Sequence, residues 1–112
     1  MKPETYIGEK VHIEIDRPIG SVHPKHSDIW FCFNYGYVPG IFGRDGEELD
    51  AYLLGVFTPV TAYDGICIAV IRRRNEDDDK LVVVPEGVEY TDEQILALTE
   101  FIERFHDSYL VR

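Results

Sequence analysis

Three carboxylates, Asp45, Glu47 and Asp50, crowd into the segment Asp45-Gly46-Glu47-Glu48-Leu49-Asp50. Such a cluster repels itself unless a cation sits in it. Hard divalent ions such as Mg²⁺ take carboxylate oxygens and keep part of their water shell. A water held by such an ion becomes a usable nucleophile. A second acidic run, Asn75-Glu76-Asp77-Asp78-Asp79-Lys80, offers further oxygen ligands, with Lys80 poised for an anion. If the two acidic loops end neighbouring strands, they share one pocket, where two metals about 3.5–4 Å apart would clamp a displacement at phosphorus. The plainer alternatives are an acidic solvated turn or an Asp45 helix cap paired with Glu48 for the first cluster, and a hairpin tip kept soluble by charge for the second.

Lys25, Arg44 and Lys80 are candidates to grip phosphate oxygens, whereas Arg72, Arg73 and Arg74 read as surface solvation. His23 and His26 have a His-x-x-His spacing, a weak metal signal in a polar loop. Tyr35 and Tyr37 are candidates to donate hydrogen bonds into a pocket, against the common alternative of core tyrosines with a wet tip. Nothing points to a serine or cysteine nucleophile, and no phosphate-binding glycine loop occurs.

The elements that must position these groups are mostly strands. Val11, Ile13 and Ile15 alternate with polar neighbours over residues 10–16, a half-buried strand, and Arg17-Pro18-Ile19-Gly20 reads as its closing turn. Residues 21–28 read as a polar loop, and Ile29 to Phe33 as a short apolar strand. Tyr35-Gly36-Tyr37 and Pro39-Gly40 signal a bend. Leu49, Ala51 and Leu53 favour a strand that β-formers continue through Val56, Phe57 and Thr58. Tyr63-Asp64-Gly65 reads as a turn, Ile66 to Ile71 and Leu81 to Val84 as strands, and Arg72 to Lys80 as a charged hairpin. Thr91 and Gln94 form a capping box, with Tyr90 and Ile95 as its staple. The helix that follows carries a stripe of Ile95, Leu98, Ile102 and Phe105. Several strands followed by one helix predict a mainly β, α+β fold: a small barrel or curled sheet with the C-terminal helix packed outside.

A length of 112 residues fits one domain, 1–112, and 45% hydrophobic residues suffice for one core. The formal charge of −10 argues against nucleic acid, whose binders show a basic face. A small anionic substrate is compatible with that charge if metal ions reverse the local field. Cys32 and Cys67 sit in apolar runs without metal-binding spacing and read as buried, reduced thiols. There is no leader-like stretch and no apolar run near the roughly 20 residues of a membrane span. The expected location is cytoplasmic, with no membrane partner.

Three blocks together resemble the soluble inorganic pyrophosphatases: Asn34-Tyr35-Gly36-Tyr37, Asp45-Gly46-Glu47-Glu48-Leu49-Asp50-Ala51 and Lys80-Leu81-Val82-Val83-Val84-Pro85. Weaker likeness runs over about residues 11–107. The resemblance implies a five-stranded, OB-like barrel with helices outside. It also implies metal-dependent hydrolysis of pyrophosphate to two phosphates with Mg²⁺, Mn²⁺ being the alternative ion. By position it implies Asp45, Asp50 and Asp78 as metal ligands, Asp50 bridging, and Glu14 and Glu76 as further acidic groups. It gives Glu47 the role of accepting the water's proton and matches Lys80 and Tyr35 to active-site positions.

The chain departs from the pattern in several places. Glu47 is a methylene longer than the family's usual Asp, Asn75 stands in an Asp slot, His12 in a Lys slot, Phe31 in a Tyr slot, and Phe105-His106 in a Tyr-Lys pair. His12, His106, Lys25 and Arg44 are therefore the candidates to hold substrate. The thinned phosphate grip keeps two alternatives open: a metal-dependent hydrolase of another phosphorylated compound, and a non-catalytic OB-like binding module. The resemblance further suggests a homo-oligomer.

Overall fold

The computed structural model describes residues 2–112. After a 3-10 turn at Pro3–Tyr6 come β1 (Lys10–Arg17), β2 (Asn34–Phe42), β3 (Glu48–Leu53), β4 (Ala62–Arg73), β5 (Lys80–Val84), helix α1 (Asp92–Glu103) and β6 (Ser108–Val111). The strand order is β1-β2-β3-β5-β4-β6, and a β1–β4 pairing closes the first five into a barrel. All pairings are antiparallel except β3–β5. The expected five-stranded barrel with a helix outside is present, and β6 adds to it by pairing with the last residues of β4.

Two apolar layers sandwich the barrel wall. Val11, Ile13, Leu49, Ala51, Leu53, Cys67, Val70, Leu81 and Val83 point inward. Phe31, Phe33, Tyr35, Tyr52, Ala69, Ile71, Val82 and Val84 point outward, under Ile95 of α1. Lys80–Val84 is consequently buried on both faces, which is why β5 reads as an unbroken apolar run rather than an alternating one.

Two bulges set which residues face outward. Cys67 pairs with Val83 and Ala69 with Val82, so the ladder skips Ile68 and Ala69 turns to the outer layer. In β1, Ile15 pairs with Gly36 and Arg17 with Tyr35, so Asp16 is the extra residue. A strict two-residue alternation would send Arg17 inward behind Ile13 and Ile15; the bulge turns it to the outer face beside Tyr35.

Several expectations need correction. Residues 35–40 lie within β2: Gly36 is where β1 approaches closely, and Pro39-Gly40 is where the β2–β3 ladder shifts register, with Gly40 at a φ of 77°. Ile29 to Phe33 contributes only a bridge from Trp30 to Val22, because its phenylalanines serve as outer-layer packing rather than as a ladder. Tyr63-Asp64-Gly65 lies inside β4, paired with β1. β3 ends at Leu53, before Val56 to Thr58. Asn34, fully buried, fastens those loops: its Oδ1 accepts from the Ile19 amide at 3.0 Å and its Nδ2 donates to the carbonyls of Val56 and Thr58 at 3.3 and 3.1 Å.

The capping box at α1 is formed, with the Gln94 amide donating to Thr91 Oγ1 at 3.2 Å and the Thr91 amide donating to Gln94 Oε1 at 2.8 Å. The buried face keeps only part of the expected stripe, Ile95 and Ile102, which pack on the outer layer. Ile95, Thr99 and Glu103 are buried, while Leu98 is exposed and Phe105 lies beyond the helix in solvent. A charged Glu103 takes an inward position because partners wait for it there.

A Cβ on Gly36 would lie 1.8 Å from the carbonyl oxygen of Glu14. Gly36→Ala is expected to destabilise the fold by more than about 4 kcal/mol, read as the urea midpoint; a parent-like midpoint would contradict the β1–β2 pairing.

Candidate active site

The register builds one row across four strands. Glu14 pairs with Tyr37, Tyr37 with Asp50, and Asp50 with Lys80. The alternation that sends Leu49 and Ala51 inward leaves Asp50 on the outer face with Tyr52. The β4–β5 hairpin returns Asp78 to the same place. The Lys80 ammonium donates to Asp50 Oδ2 at 2.7 Å and to Asp78 Oδ1 at 2.6 Å. Only 4% of the Lys80 side chain is exposed, against about a third of each aspartate, 31% and 34%. The ammonium is therefore sheltered while its carboxylates face a cavity.

That cavity, about 240 Å³, is lined by Arg17, His23, Tyr35, Asp50, Arg73, Asp78, Lys80, Ile102 and His106. Burial alone would push the Lys80 ammonium down, but Tyr35, Asp50 and Asp78 outweigh it and hold its pKa above the ordinary lysine range. Burial pushes the Tyr35 phenol well up, helped by Asp50 and opposed by Lys80, so it keeps its proton near neutral pH. The carboxylates are thus the negative charges that hold Lys80.

Arg73 is the second organiser. It is 5% exposed rather than solvated as expected. Its NH1 donates to Asp78 Oδ2 at 2.8 Å, and its Nε and NH2 donate to Glu103 at 3.1 and 2.9 Å. Glu103 also accepts from the Tyr52 hydroxyl at 2.6 Å and from Ser108. Barrel wall, helix and β6 meet at this carboxylate. Arg72 is buried too, bonded to Glu4 and 3.9 Å from Asp79, leaving Arg74 as the exposed member of the triplet.

The remaining candidates divide. Asp45 is an exposed turn residue whose Oδ1 accepts from the Glu47 amide at 3.0 Å, and Glu47 is exposed with no ion-pair partner among the described residues. Glu14 and Asp64 bracket His12 at 2.8 and 2.7 Å. Those hydrogen bonds, Asp64 first, raise the His12 pKa, but the imidazole lies outside the cavity lining. Arg44 spends its guanidinium on the fully buried carboxylate of Asp79, two bonds of 2.8 Å, and on Asp77 at 3.3 Å. Lys25 is exposed on the loop. His106 reaches the cavity and bonds Glu76 at 2.6 Å.

Sequence reasoning missed Arg17, Arg73 and Glu103, and read His23 only as a weak metal signal shared with His26. Arg73 was hidden in a charged run and Arg17 in a turn, so neither carried a local signal. His23 is held below its ordinary pKa by burial and by the charge of Arg17. Cys67 is buried as expected, with burial pushing its thiol up to about 11, but Cys32 is exposed, on the surface beside α1.

Asp50 and Asp78 are the pair that fits a divalent ion. Among the described residues no three His, Cys, Asp or Glu side chains converge as a metal cage. Hard ions such as Mg²⁺ need none, since they bind through one or two carboxylates plus waters and phosphate oxygens. Both aspartates are partly exposed at the cavity, and Lys80 bonds Asp50 through Oδ2 and Asp78 through Oδ1.

A closed small barrel with an outer helix and an acid-and-lysine cavity defines the class, and comparison with known proteins agrees. The structure superposes on the inorganic pyrophosphatases of Ehrlichia chaffeensis, with a TM-score of 0.69 at 13% identity over 91% of this chain and 84% of that one. It also superposes on those of Coxiella burnetii (0.63, 17%, 94% and 84%) and Thermus thermophilus (0.61, 16%, 93% and 81%). At these identities the likeness is one of fold. In sequence, the inorganic pyrophosphatase family profile matches residues 3–109, so the chain belongs to that family. The inorganic pyrophosphatase of Saccharolobus solfataricus is 31% identical over 86 residues, covering 73% of this chain and 46% of that protein. The chain thus spans about half the length of that curated relative.

Burial works against a charged Glu103, and the bonds from Arg73, Ser108 and Tyr52 outweigh it, so its pKa is lowered. A lowered native pKa means the unfolded state binds the proton more readily. The stabilisation is present above the ordinary Glu value and fades as pH falls below it through the native pKa. Glu103→Gln is expected to cost about 3 kcal/mol at pH 7 and much less in acid, read as urea unfolding at each pH; equal losses at both would contradict the assignment.

Proposed function

We propose that this chain, as one domain over residues 1–112, hydrolyses inorganic pyrophosphate to two phosphates with the help of Mg²⁺. Mn²⁺ is the alternative ion. The observation that supports the reading best is the convergence of Asp50 and Asp78 on the sheltered ammonium of Lys80, beside a cavity sized for a small anion. Family membership supports it independently.

Asp50 and Asp78 would hold the divalent ion at their cavity side. Such an ion supplies a water of lowered pKa and neutralises phosphate charge. Lys80, fixed by its two carboxylates, offsets charge building on the leaving phosphate. Tyr35, which keeps its proton, offers a hydroxyl donor on the same wall. Arg73 holds Asp78 in place and, through Glu103, ties that position to α1. Glu47 is the proposed proton acceptor: its exposed carboxylate has no ion-pair partner among the described residues, and it lies on the segment that leads directly into Asp50. Asp45, Glu14 and Glu76 are proposed as outer acidic groups that gather cations at the rim.

The proposed setting is cytoplasmic. No helix among the described residues is long and apolar enough to cross a membrane.

Phosphate release from Mg²⁺-pyrophosphate checks the reading. Asp50→Asn is expected to lower kcat by about 1,000-fold, since it removes a metal ligand and one partner of Lys80. Glu47→Ala is expected to lower it by about 100-fold. Parent-like rates in Asp50→Asn would contradict the site. Turnover of a nucleotide or sugar phosphate, with none of pyrophosphate, would move the substrate elsewhere.

A further inference from the structure

Among the described residues, Lys80, Arg73 and His106 in the cavity lining are each held by a carboxylate, and Arg17 is not. Lys80 is held by Asp50 and Asp78, Arg73 by Asp78 and Glu103, and His106 by Glu76. Arg17 has no carboxylate within ion-pair distance and no side-chain hydrogen bond among the described residues. Its guanidinium lies over two aromatic rings, 5.7 Å from the centre of Phe31 and 5.6 Å from that of Tyr35. The Lys80 ammonium lies 5.7 Å from the same Tyr35 ring. Aromatic stacking fixes the plane of a guanidinium while leaving its N–H edge free to donate.

The backbone is shaped to put Arg17 there. The Asp16 bulge in β1 turns Arg17 from the barrel interior to the outer face opposite Tyr35. Two residues on, Asn34 fastens the chain at the Ile19 amide. An arginine brought to a cavity by a bulge, oriented by two rings and left without an acid is equipped to receive an anion from solution. A volume of about 240 Å³ suits a small one, being under the roughly 300–1,000 Å³ of pockets for larger ligands.

We infer that Arg17 is the residue of this chain that grips a phosphoryl group, through a two-pronged bond from its guanidinium edge, and that this grip does not require a metal. His23, stacked on the other ring at 6.1 Å from Phe31, stays neutral and bounds the seat. The inference rests on the pyrophosphatase reading for its substrate class, but it concerns binding rather than turnover. It replaces Lys25 and Arg44 as the phosphate grip.

The test is calorimetric titration with inorganic pyrophosphate and with orthophosphate, in EDTA and again with Mg²⁺, alongside phosphate release. Arg17→Gln is expected to weaken metal-free pyrophosphate binding at least tenfold. Arg17→Lys, which keeps the charge but loses the fork, should weaken it about threefold. Lys10→Gln, an exposed change of the same charge on β1, should bind as the parent does. Urea midpoints establish that each variant is folded, and Arg17→Lys alone decides if Arg17→Gln is not. Parent-like affinity in folded Arg17→Gln or Arg17→Lys would overturn the inference, as would a parent that binds neither anion without metal. A parent that binds in an Arg17-dependent way yet releases no phosphate would refute hydrolysis and leave the grip standing. Normal turnover and binding in Arg17→Gln would do the reverse.

Discussion

A lysine ammonium sheltered from water, with a carboxylate on either side, is the interaction around which this molecule is arranged. An isolated ammonium is costly to bury, and two unpaired carboxylates brought this close would repel. Each cost is relieved by the other. Lys80 opens β5, Asp50 lies on β3, and Asp78 ends the hairpin that leads into β5, so the cluster ties the parallel β3–β5 pairing to the hairpin beside it. A second tier repeats the pattern, with Arg73 joining Asp78 to Glu103 and so to the helix. The helix cannot slide without breaking a buried ion pair, and the ion pair cannot form unless β4 carries Arg73 to the helix end.

A third ionic group works at the hairpin tips. Asp79, fully buried, is clamped by Arg44 from the β2–β3 turn and approached by Arg72 of β4, which also reaches Glu4. Arg44 thereby braces the segment that leads to Asp50 against the one that carries Asp78. The protein's acidic excess is thus not spread evenly. Basic side chains are drawn inward to anchor loops, while unpaired acids such as Asp45 and Glu47 stay outside. Among the described residues, Arg17 is the cavity's cation without an acid partner.

Much of the barrel could be read from residues. Leu49-Ala51-Leu53 and Val11-Ile13-Ile15 show their alternation openly, and the capping box at Thr91 is local chemistry that survives folding unchanged. What failed did so for physical reasons. A bulge costs one residue of register and leaves no compositional trace, so the outward turns of Arg17 and Ala69 were invisible. Gly36 and Pro39-Gly40 carry turn-like residues inside a strand, Gly36 for the close approach of β1 and Pro39-Gly40 at a register shift in the β2–β3 ladder. Arg73 looked like a solvated charge and Glu103 carried no signal, because each becomes buried only with its partner, thirty residues away in sequence. Asp50, Asp78 and Lys80 were legible because they stand in two dense acidic runs and in motif blocks, although Lys80 meets Asp50 across thirty residues of sequence. The path of Arg44 to Asp79 was not, being a tertiary contact between two loops.

Whether Lys80 and its flanking carboxylates act as one coupled unit is decided by a double-mutant cycle. Urea unfolding free energies would be compared for the parent, Lys80→Met, Asp78→Asn and the double variant. The account predicts a coupling of about 2 kcal/mol, the double variant losing far less than the two single losses summed. Additive losses, with a coupling under about 0.3 kcal/mol, would contradict it.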